Sequence, residues 1–158
     1  MTLIVVVVAF MAMEGVTYLA HRFVMHGIGW VLHRSHHEWR ARRFEANDAF
    51  PVAFGAVTLA VMAVGYQVPA QVMVAGAVGV SAYGCAYLFV HDVYIHGRLG
   101  RLPKVAVLER LRRAHGLHHL FGGEPYGMLM PIVSKRLRAR ADGLTWDVGE
   151  DAGYQPVS

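Results

Sequence analysis

Two long apolar tracts stand out in the pattern of polar and apolar positions. Residues 2–20 contain one charged side chain, Glu14, and residues 51–90 contain none. The first tract is long enough to cross a bilayer core of about 30 Å once, and the second would reach about 60 Å as a helix, enough for two crossings. Pro69 and two glutamines interrupt the second tract, so we expect the break between crossings at residues 66–71. The pattern predicts an all-α integral membrane helical bundle with three transmembrane helices.

The charges that flank these tracts predict their orientation. All fifteen lysines and arginines lie in 22–43 or 98–140. Because loops rich in Lys and Arg stay on the cytoplasmic side, we expect an integral protein of the inner (cell) membrane with its N-terminus outside. A cleaved signal peptide is the competing interpretation of residues 2–20, and we reject it because a basic leading region and a small-residue cleavage site are lacking. The net charge of +4 then suits anionic lipid headgroups better than nucleic acid.

The remaining segments complete a single domain, residues 1–141, followed by a polar tail. Residues 104–121 have helical periodicity and predict an amphipathic helix whose apolar face its histidines continue. Residues 121–133 are apolar and rich in Gly and Pro, and they lie at the membrane interface or enter the membrane as a fourth crossing. We expect residues 142–158 to form a flexible tail.

All ten histidines lie in four short boxes beside the apolar tracts. Each half of the chain has an H-x4-H box followed by an H-x2-HH box. The repeated arrangement comprises His21, His26, His33, His36 and His37 in the first half and His91, His96, His115, His118 and His119 in the second. Neutral imidazole is the commonest protein ligand for first-row metals. Because ten imidazoles exceed what one ion coordinates, we predict two metal ions in a cytoplasmic, histidine-rich cap.

The spacing within the boxes predicts their local geometry. Positions i, i+3 and i+4 of an α-helix share a face, so we expect the three histidines of each H-x2-HH box to converge on one point. Five residues rotate a regular helix well past one turn. An H-x4-H box therefore requires a helix end, a bend or a π-bulge.

Four polar residues near the boxes are further candidates. A carboxylate within a membrane-spanning segment is a functional candidate, so we interpret Glu14 as a residue that supports the metal ligands. The alternative is a carboxyl group bonded to a neighbouring helix. Asp92 directly follows a histidine and is a candidate to orient an imidazole, with a helix-end charge as the alternative. We interpret Asn47 and Asp48 as helix caps.

The chemistry of the boxes favours an oxygenase. Their spacing alone fits zinc and iron equally, and the chain has no Ser/His/Asp pattern, phosphate-binding glycine loop or H-E-x-x-H box. A metal pair at the end of a helical bundle faces the acyl region of the membrane, which suggests a lipid substrate. Activating an unreactive C–H bond requires a redox metal and dioxygen, which favours iron. The non-enzymatic alternative is a membrane metal-binding or transport protein, although residues 51–90 offer it no polar pathway.

The residues around the histidines also carry a family resemblance. They resemble the membrane fatty acid hydroxylase superfamily, which includes sterol desaturases, and within it the bacterial carotenoid branch, the β-carotene 3-hydroxylases. The resemblance is carried by YLAHRFVMHGIGWVLHRSHHEWR, FEANDAFPVAF, HDVYIHGR and RLRRAHGLHHLFGGEPYGML. It extends from about Glu14 to Met130. The H-x4-H first box departs from the H-x3-H of the wider superfamily and agrees with the carotenoid branch.

This resemblance implies a di-iron monooxygenase that hydroxylates carbon 3 of β-ionone rings. It would convert β-carotene through β-cryptoxanthin to zeaxanthin in carotenoid biosynthesis, with ketolated carotenoids as further substrates. The carotenoid would lie in the bilayer, dioxygen would be the co-substrate, and a reduced ferredoxin would supply electrons. All ten histidines would be ligands of the two iron ions. A fatty acid or sterol hydroxylase or desaturase of the same superfamily is the nearest alternative.

Overall fold

The computed structural model describes residues 2–38, 44–142, 146–148 and 154–156. Its helices are α1 (Thr2–Leu19), α2 (Trp30–His37), α3 (Ala49–Gln67), α4 (Gln71–Leu88), α5 (Ala106–Phe121) and α6 (Lys135–Ala141). Two π-helical segments continue α1 and α4, at Ala20–Ile28 and Phe89–Ile95, and a 3-10 turn at Ala46–Asp48 precedes α3. The predicted all-α class is confirmed.

Three helical stretches are long and apolar enough to cross a membrane. They are Thr2–Ile28, Ala46–Gln67 and Gln71–Ile95. At most 22% of the residues in the apolar part of each stretch are buried, so apolar side chains cover the outside of the bundle as contact with lipid requires. The break between the second and third stretches falls within the predicted residues 66–71. Residues 122–134 form an irregular segment rather than a fourth spanning helix.

The central helix of the bundle is α4, which packs against both α1 and α3. Gly79 permits the contact with α1, because a Cβ atom there would lie 2.3 Å from the carbonyl oxygen of Val6 and 2.8 Å from Cβ of Ala9. Near this contact, the rings of Phe10 and Tyr83 meet edge to face with their centroids 5.5 Å apart. Small residues at such a crossing stabilise helix pairs in lipid, where packing drives association.

The first H-x4-H box lies within a π-helical segment, and the second begins in one and ends at the residue after it, so the predicted departure from a regular helix is confirmed. The amide of Gly29 donates to the carbonyl oxygen of Val24 at 2.7 Å, and the amide of His96 to that of His91 at 2.9 Å, each five residues back. This wider turn brings histidines five residues apart to the same side. At Gly27 the backbone leaves helical geometry, with φ −103° and ψ −116°, and the chain bends from α1 into α2.

A small apolar core holds α5 against the end of the third stretch. Val90, Ile95 and Met128 are buried together, and two leucines of α5 pack against them. Arg110 and Arg113 lie exposed on the opposite face of α5. The predicted amphipathic helix is therefore confirmed, with its histidines on the buried side.

The C-terminal tail contains two short strands that its composition did not predict. Strands β1 (Trp146–Val148) and β2 (Tyr154–Pro156) pair antiparallel. The expected flexibility of residues 142–158, and their separation from a domain at 1–141, stay predictions. Part of this tail, including its last two residues, lies outside the described residues.

The contact at Gly79 generates a stability prediction. We expect Gly79→Ala to lower the free energy of unfolding by about 1–3 kcal/mol, because the new methyl group meets backbone atoms of α1 that have no room to move. Gly84→Ala on the same helix is the control, since a Cβ atom there meets nothing within 4 Å. Thermal unfolding of both variants in detergent micelles measures the difference. Equal stability of the two variants would contradict the packing assigned to α1 and α4.

Candidate metal centre

All ten histidines meet at one end of the helical bundle. Each is buried or half-buried, and His21, His33 and His118 are 2% exposed or less. The two π-helical segments, α2 and α5 supply nine of them, and His96 directly follows the second π-helical segment. Four boxes that are far apart in sequence therefore form one buried imidazole cluster.

The first histidine group contains five residues: His21, His26, His33, His37 and His118. One ring nitrogen of each lies within 4.8 Å of the others. Nε2 of His33 lies 3.1 Å from Nε2 of His21 and 3.2 Å from Nε2 of His37. Nε2 of His26 lies 3.1 Å from Nε2 of His118. The donor atoms thus face a common centre.

The second histidine group contains His36, His96, His115 and His119, whose donor nitrogens also lie within 4.8 Å of one another. Nε2 of His115 lies 3.1 Å from Nε2 of His96 and 2.9 Å from Nε2 of His119. His91 is a further donor at the edge of this group, because its Nε2 lies 3.0 Å from Nε2 of His36. With His91, each group has five imidazoles.

The structure divides each H-x2-HH box between the two groups, so the expectation that its three histidines converge was wrong. In the first box His33 and His37 join the first group, whereas the middle residue His36 joins the second. The other box divides the same way, and its middle residue, His118, joins the first group. With 3.6 residues per turn, residue i+4 lies about 40° from residue i, but residue i+3 lies about 60° away on the other side. The middle histidine therefore faces the neighbouring group.

The distances between donor atoms fit the coordination of metal ions. Imidazole nitrogens held about 2.1 Å from a metal lie about 3.0 Å apart in an octahedron and about 3.4 Å apart in a tetrahedron. The Nε2–Nε2 distances in the two groups are 2.9–3.2 Å. This spacing favours octahedral coordination, which structural zinc sites do not adopt.

The outer nitrogens of two histidines in the first group face backbone oxygens. Nδ1 of His21 donates to the carbonyl oxygen of Tyr126 at 3.0 Å, and Nδ1 of His118 donates to that of Gly123. A carbonyl oxygen only accepts hydrogen bonds, so the proton of each neutral ring lies on Nδ1 and the lone pair of Nε2 faces the group. Converging lone pairs require a cation between them, and outer hydrogen bonds of this kind orient metal-binding imidazoles.

Side-chain oxygens act in the same way on α2. Nδ1 of His33 donates to Oδ1 of Asn47 at 2.7 Å, and Nδ1 of His36 donates to Oε2 of Glu45 at 3.1 Å. Asn47 is thus placed behind a histidine rather than as a helix cap. Asp48 does cap its turn, because one of its carboxylate oxygens accepts from the amide of Glu45 at 3.0 Å.

Burial keeps the imidazoles in the form that binds metals. Desolvation lowers the pKa of His33 to about 4 and that of His37 to about 2, and nearby imidazoles add to both decreases. Burial likewise lowers the pKa values of His115 and His119. These rings are neutral at physiological pH, so protons do not compete with a metal there.

Arg98 connects the carboxylates behind the second group. Its guanidinium lies 2.7 Å from Asp48, 3.0 Å from Asp92 and 3.2 Å from Glu45. Asp92 also lies 3.4 Å from Nδ1 of His91, where a carboxylate that orients an imidazole is expected, although this role stays a prediction. Sequence reasoning did not identify Glu45 or Arg98. A single arginine such as Arg98 belongs to no sequence motif that would mark it. Glu45 could have been found, because the Glu45–Asp48 spacing resembles a capping box.

Glu14 makes its hydrogen bonds away from the imidazoles. Its carboxylate accepts from the hydroxyl of Tyr83 at 2.6 Å and from the amides of Met128 and Met130 at 2.9 Å and Leu129 at 3.1 Å. The bond from Tyr83 of α4 corresponds to the alternative interpretation of a carboxyl group bonded to a neighbouring helix. The three amides belong to the irregular segment after α5, which that interpretation did not include. A role in supporting the metal ligands stays a prediction.

Comparison with known proteins gives the class of protein. The sequence model of the fatty acid hydroxylase family matches residues 6–137. The chain therefore belongs to the fatty acid hydroxylase family, and its three apolar spans make it a membrane protein. No solved structure matches the chain.

The relatives of the chain are named for one substrate. The chain is 40% identical over 122 residues to a beta-carotene hydroxylase of Pseudescherichia vulneris, covering 76% of the chain and 69% of the relative. It is 38% identical over 142 residues to a beta-carotene hydroxylase of Pantoea ananas, covering 86% of the chain and 81% of the relative. It is 37% identical over 138 residues to the chloroplastic beta-carotene 3-hydroxylase of Haematococcus lacustris, covering 82% of the chain and 43% of that longer protein.

The position of Arg98 generates a second prediction. We expect Arg98→Met to lower the free energy of unfolding by about 1–3 kcal/mol, because it leaves three largely buried carboxylates without their cation. Arg34→Met removes an ion pair to Glu38 in which both side chains are at least 42% exposed, so a change below about 0.5 kcal/mol is expected. Chemical unfolding of the metal-free protein compares the two. A larger loss in the Arg34 variant would contradict the assignment.

Proposed function

We propose that the chain is a di-iron, dioxygen-dependent monooxygenase that hydroxylates carbon 3 of the β-ionone rings of carotenoids. The observation that carries the proposal is the pair of five-imidazole groups at one end of a membrane-spanning bundle. Its support comes from membership of a hydroxylase family and from relatives named beta-carotene hydroxylases. β-Carotene would give β-cryptoxanthin and then zeaxanthin, and ketolated rings are further candidate substrates.

Iron fits the donor set better than zinc does. The octahedral spacing of the Nε2 atoms and the need for a redox metal in C–H oxygenation point the same way. A bound iron pair would supply the chemistry of dioxygen reduction, and the overall reaction would place one oxygen atom in the C–H bond and release the other as water, consuming two electrons and two protons. The ten histidines would hold the ions, all through their inner nitrogens.

The protein's own residues prepare this chemistry by orientation and exclusion of water. Hydrogen bonds that the outer ring nitrogens donate to oxygens of Tyr126, Gly123, Asn47 and Glu45 fix ring tautomers and planes. The ring of Tyr126 covers the first group. Its centroid lies 5.2–5.4 Å from the centroids of three imidazoles, those of His21, His26 and His118. Exclusion of water from the site prevents side reactions that would compete with hydroxylation of the substrate.

A ferredoxin-type protein is the proposed electron donor. The two electrons must come from outside the chain, because imidazoles do not supply them. Arg110 and Arg113 are exposed on α5, the helix that carries three of the histidines. An acidic redox protein docked against this face would lie one helix diameter from the metal centre, and complementary charge favours such an encounter.

The proposed orientation places the N-terminus outside the inner membrane and the metal centre in the cytoplasm. We expect alkaline phosphatase fused after residue 69 to be active, and the same fusion after residue 142 to be inactive. Green fluorescent protein at the same two sites should give the opposite result. An active phosphatase after residue 142 would overturn the orientation without affecting the metal centre.

Replacement of one histidine from each group tests the proposed activity. In a bacterium engineered to make β-carotene, the intact chain should produce zeaxanthin. His36→Ala and His118→Ala should each lower product by at least about 100-fold and reduce the iron bound per chain, because each removes a donor from a different group. Val31→Ala, an exposed position on α2, should retain both. The measurements are pigment chromatography and elemental analysis of purified protein.

Different results of this experiment favour different functions. Unchanged β-carotene with altered membrane lipids would favour a fatty acid or sterol hydroxylase or desaturase. Iron binding without reductant-dependent oxygen consumption would favour a metal-binding protein. Wild-type iron and product in either histidine variant would refute the ligand role of that residue.

A further inference from the structure

A groove lies between α1 and the irregular segment after α5. Its volume is about 300 Å³. The residues that line it include Glu14, Tyr18, Glu124, Tyr126, Met130 and Ile132, and Gly15 lies among them on α1. For comparison, an engineered protein cavity of about 150 Å³ takes up benzene. The groove is therefore large enough for a six-membered ring carrying methyl groups.

The two walls of the groove are held at fixed separation by contacts on either side. On one side the Glu14 carboxylate accepts three backbone amides of residues 128–130. On the other side Arg22 bonds both the hydroxyl of Tyr18, at 2.6 Å, and the carboxylate of Glu124, at 3.1 Å. Both oxygens of Glu14 already accept hydrogen bonds, so the carboxylate has little capacity left to attract water into the groove.

The mouth of the groove opens onto the lipid-facing surface. Glu14, Gly15 and Tyr18 belong to the first membrane-spanning stretch, Thr2–Ile28. On the opposite wall Ile132 is 82% exposed and Met130 is 53% exposed. A guest that enters past these residues comes from the side of the bundle that faces the bilayer.

The inner end of the groove reaches the first histidine group. Tyr126 lines the groove, its carbonyl oxygen accepts from Nδ1 of His21, and its ring lies 5.4 Å from the ring of His118. The same residue is thus the wall of the groove and a contact of the imidazoles. No other described segment has to move for a ring in the groove to lie against Tyr126.

We propose that this groove admits the cyclic end group of a carotenoid from the bilayer and presents it to the first histidine group, with Tyr126 in contact with both. This inference rests on the proposed function. The occupant is an apolar ring on a rod-like chain, because the groove is lined by glycine, apolar and aromatic residues apart from Glu14 and Glu124, and it borders the first membrane-spanning stretch.

Gly15 allows a steric test of the groove. A Cβ atom at Gly15 meets nothing within 4 Å, and the residue lines the groove, so a side chain begins there without a backbone clash. We expect Gly15→Trp to fill the groove and lower zeaxanthin formation by about 10-fold or more, with Gly15→Ala close to wild type and Gly15→Leu between them. This loss of activity should appear mainly as a higher KM, and the iron bound per chain should not change.

Gly55→Trp is the matched control. A Cβ atom there also meets nothing within 4 Å, and the residue lies exposed on α3, away from the groove. The same bulky side chain should therefore leave product and iron at wild-type levels. If Gly15→Trp does not accumulate in the membrane, Ile132→Trp replaces it in the test. This substitution narrows the mouth of the groove from the other wall, so the same loss of product with unchanged iron is expected.

The outcomes separate this inference from the proposed function. If the wild-type chain forms no hydroxylated carotenoid, the proposed function fails and this inference falls with it. If the wild-type chain is active and Gly15→Trp matches it in KM and product, the groove is not the entrance. A loss that is equal in the Gly15 and Gly55 variants would likewise overturn the inference.

Discussion

The structure depends on gathering ten imidazoles at one end of the helical bundle, in two groups whose ring nitrogens lie close together. With the proton held on Nδ1 of both His21 and His33, their Nε2 atoms 3.1 Å apart cannot hydrogen-bond to each other and instead repel, unless a cation lies between them. Three features of the chain produce this arrangement. π-Helical turns bring the histidines of each H-x4-H box to one side, oxygen acceptors set the tautomers of four rings, and burial favours the uncharged form of His33 and His37.

Much of the fold follows from the sequence because its signals are periodic or compositional. Apolar runs predict the three spans, and box spacing predicts a departure from regular helix at each H-x4-H box, without choosing the π-helical form over a bend or a helix end. The division of the boxes into two groups cannot be predicted from the sequence. It depends on the angle of about 60° between the side chains of residues i and i+3, and on how α2 and α5 are oriented relative to each other. Glu45, Asn47 and Arg98 were not recognised as site residues. They lie in loops, where no period marks a side chain that faces a histidine.

Glu14 illustrates how one residue type supports two interpretations. A single carboxylate in an apolar tract is expensive to bury without hydrogen-bond donors, so the sequence correctly marks it as exceptional. The structure places its donors on α4 and on residues 128–130. Since Tyr126 of the same segment bonds His21, the carboxylate acts on the position of a loop that touches the first histidine group. The composition of the tract marks Glu14 as exceptional, and the three-dimensional structure shows that it holds residues 128–130 in place.

The exchange of one histidine between the halves has a consequence for assembly. The first group takes four members from the first half and His118 from the second, while the second group takes His36 from the first half. Neither half of the chain can complete a group alone, so both groups require α2 and α5 to be docked. Arg98 adds to this dependence, because it follows the third box but binds Glu45 and Asp48 before α3. Metal binding and the packing of the two halves are therefore coupled: an ion in either group stabilises the contact between α2 and α5, and a loose contact weakens both groups at once.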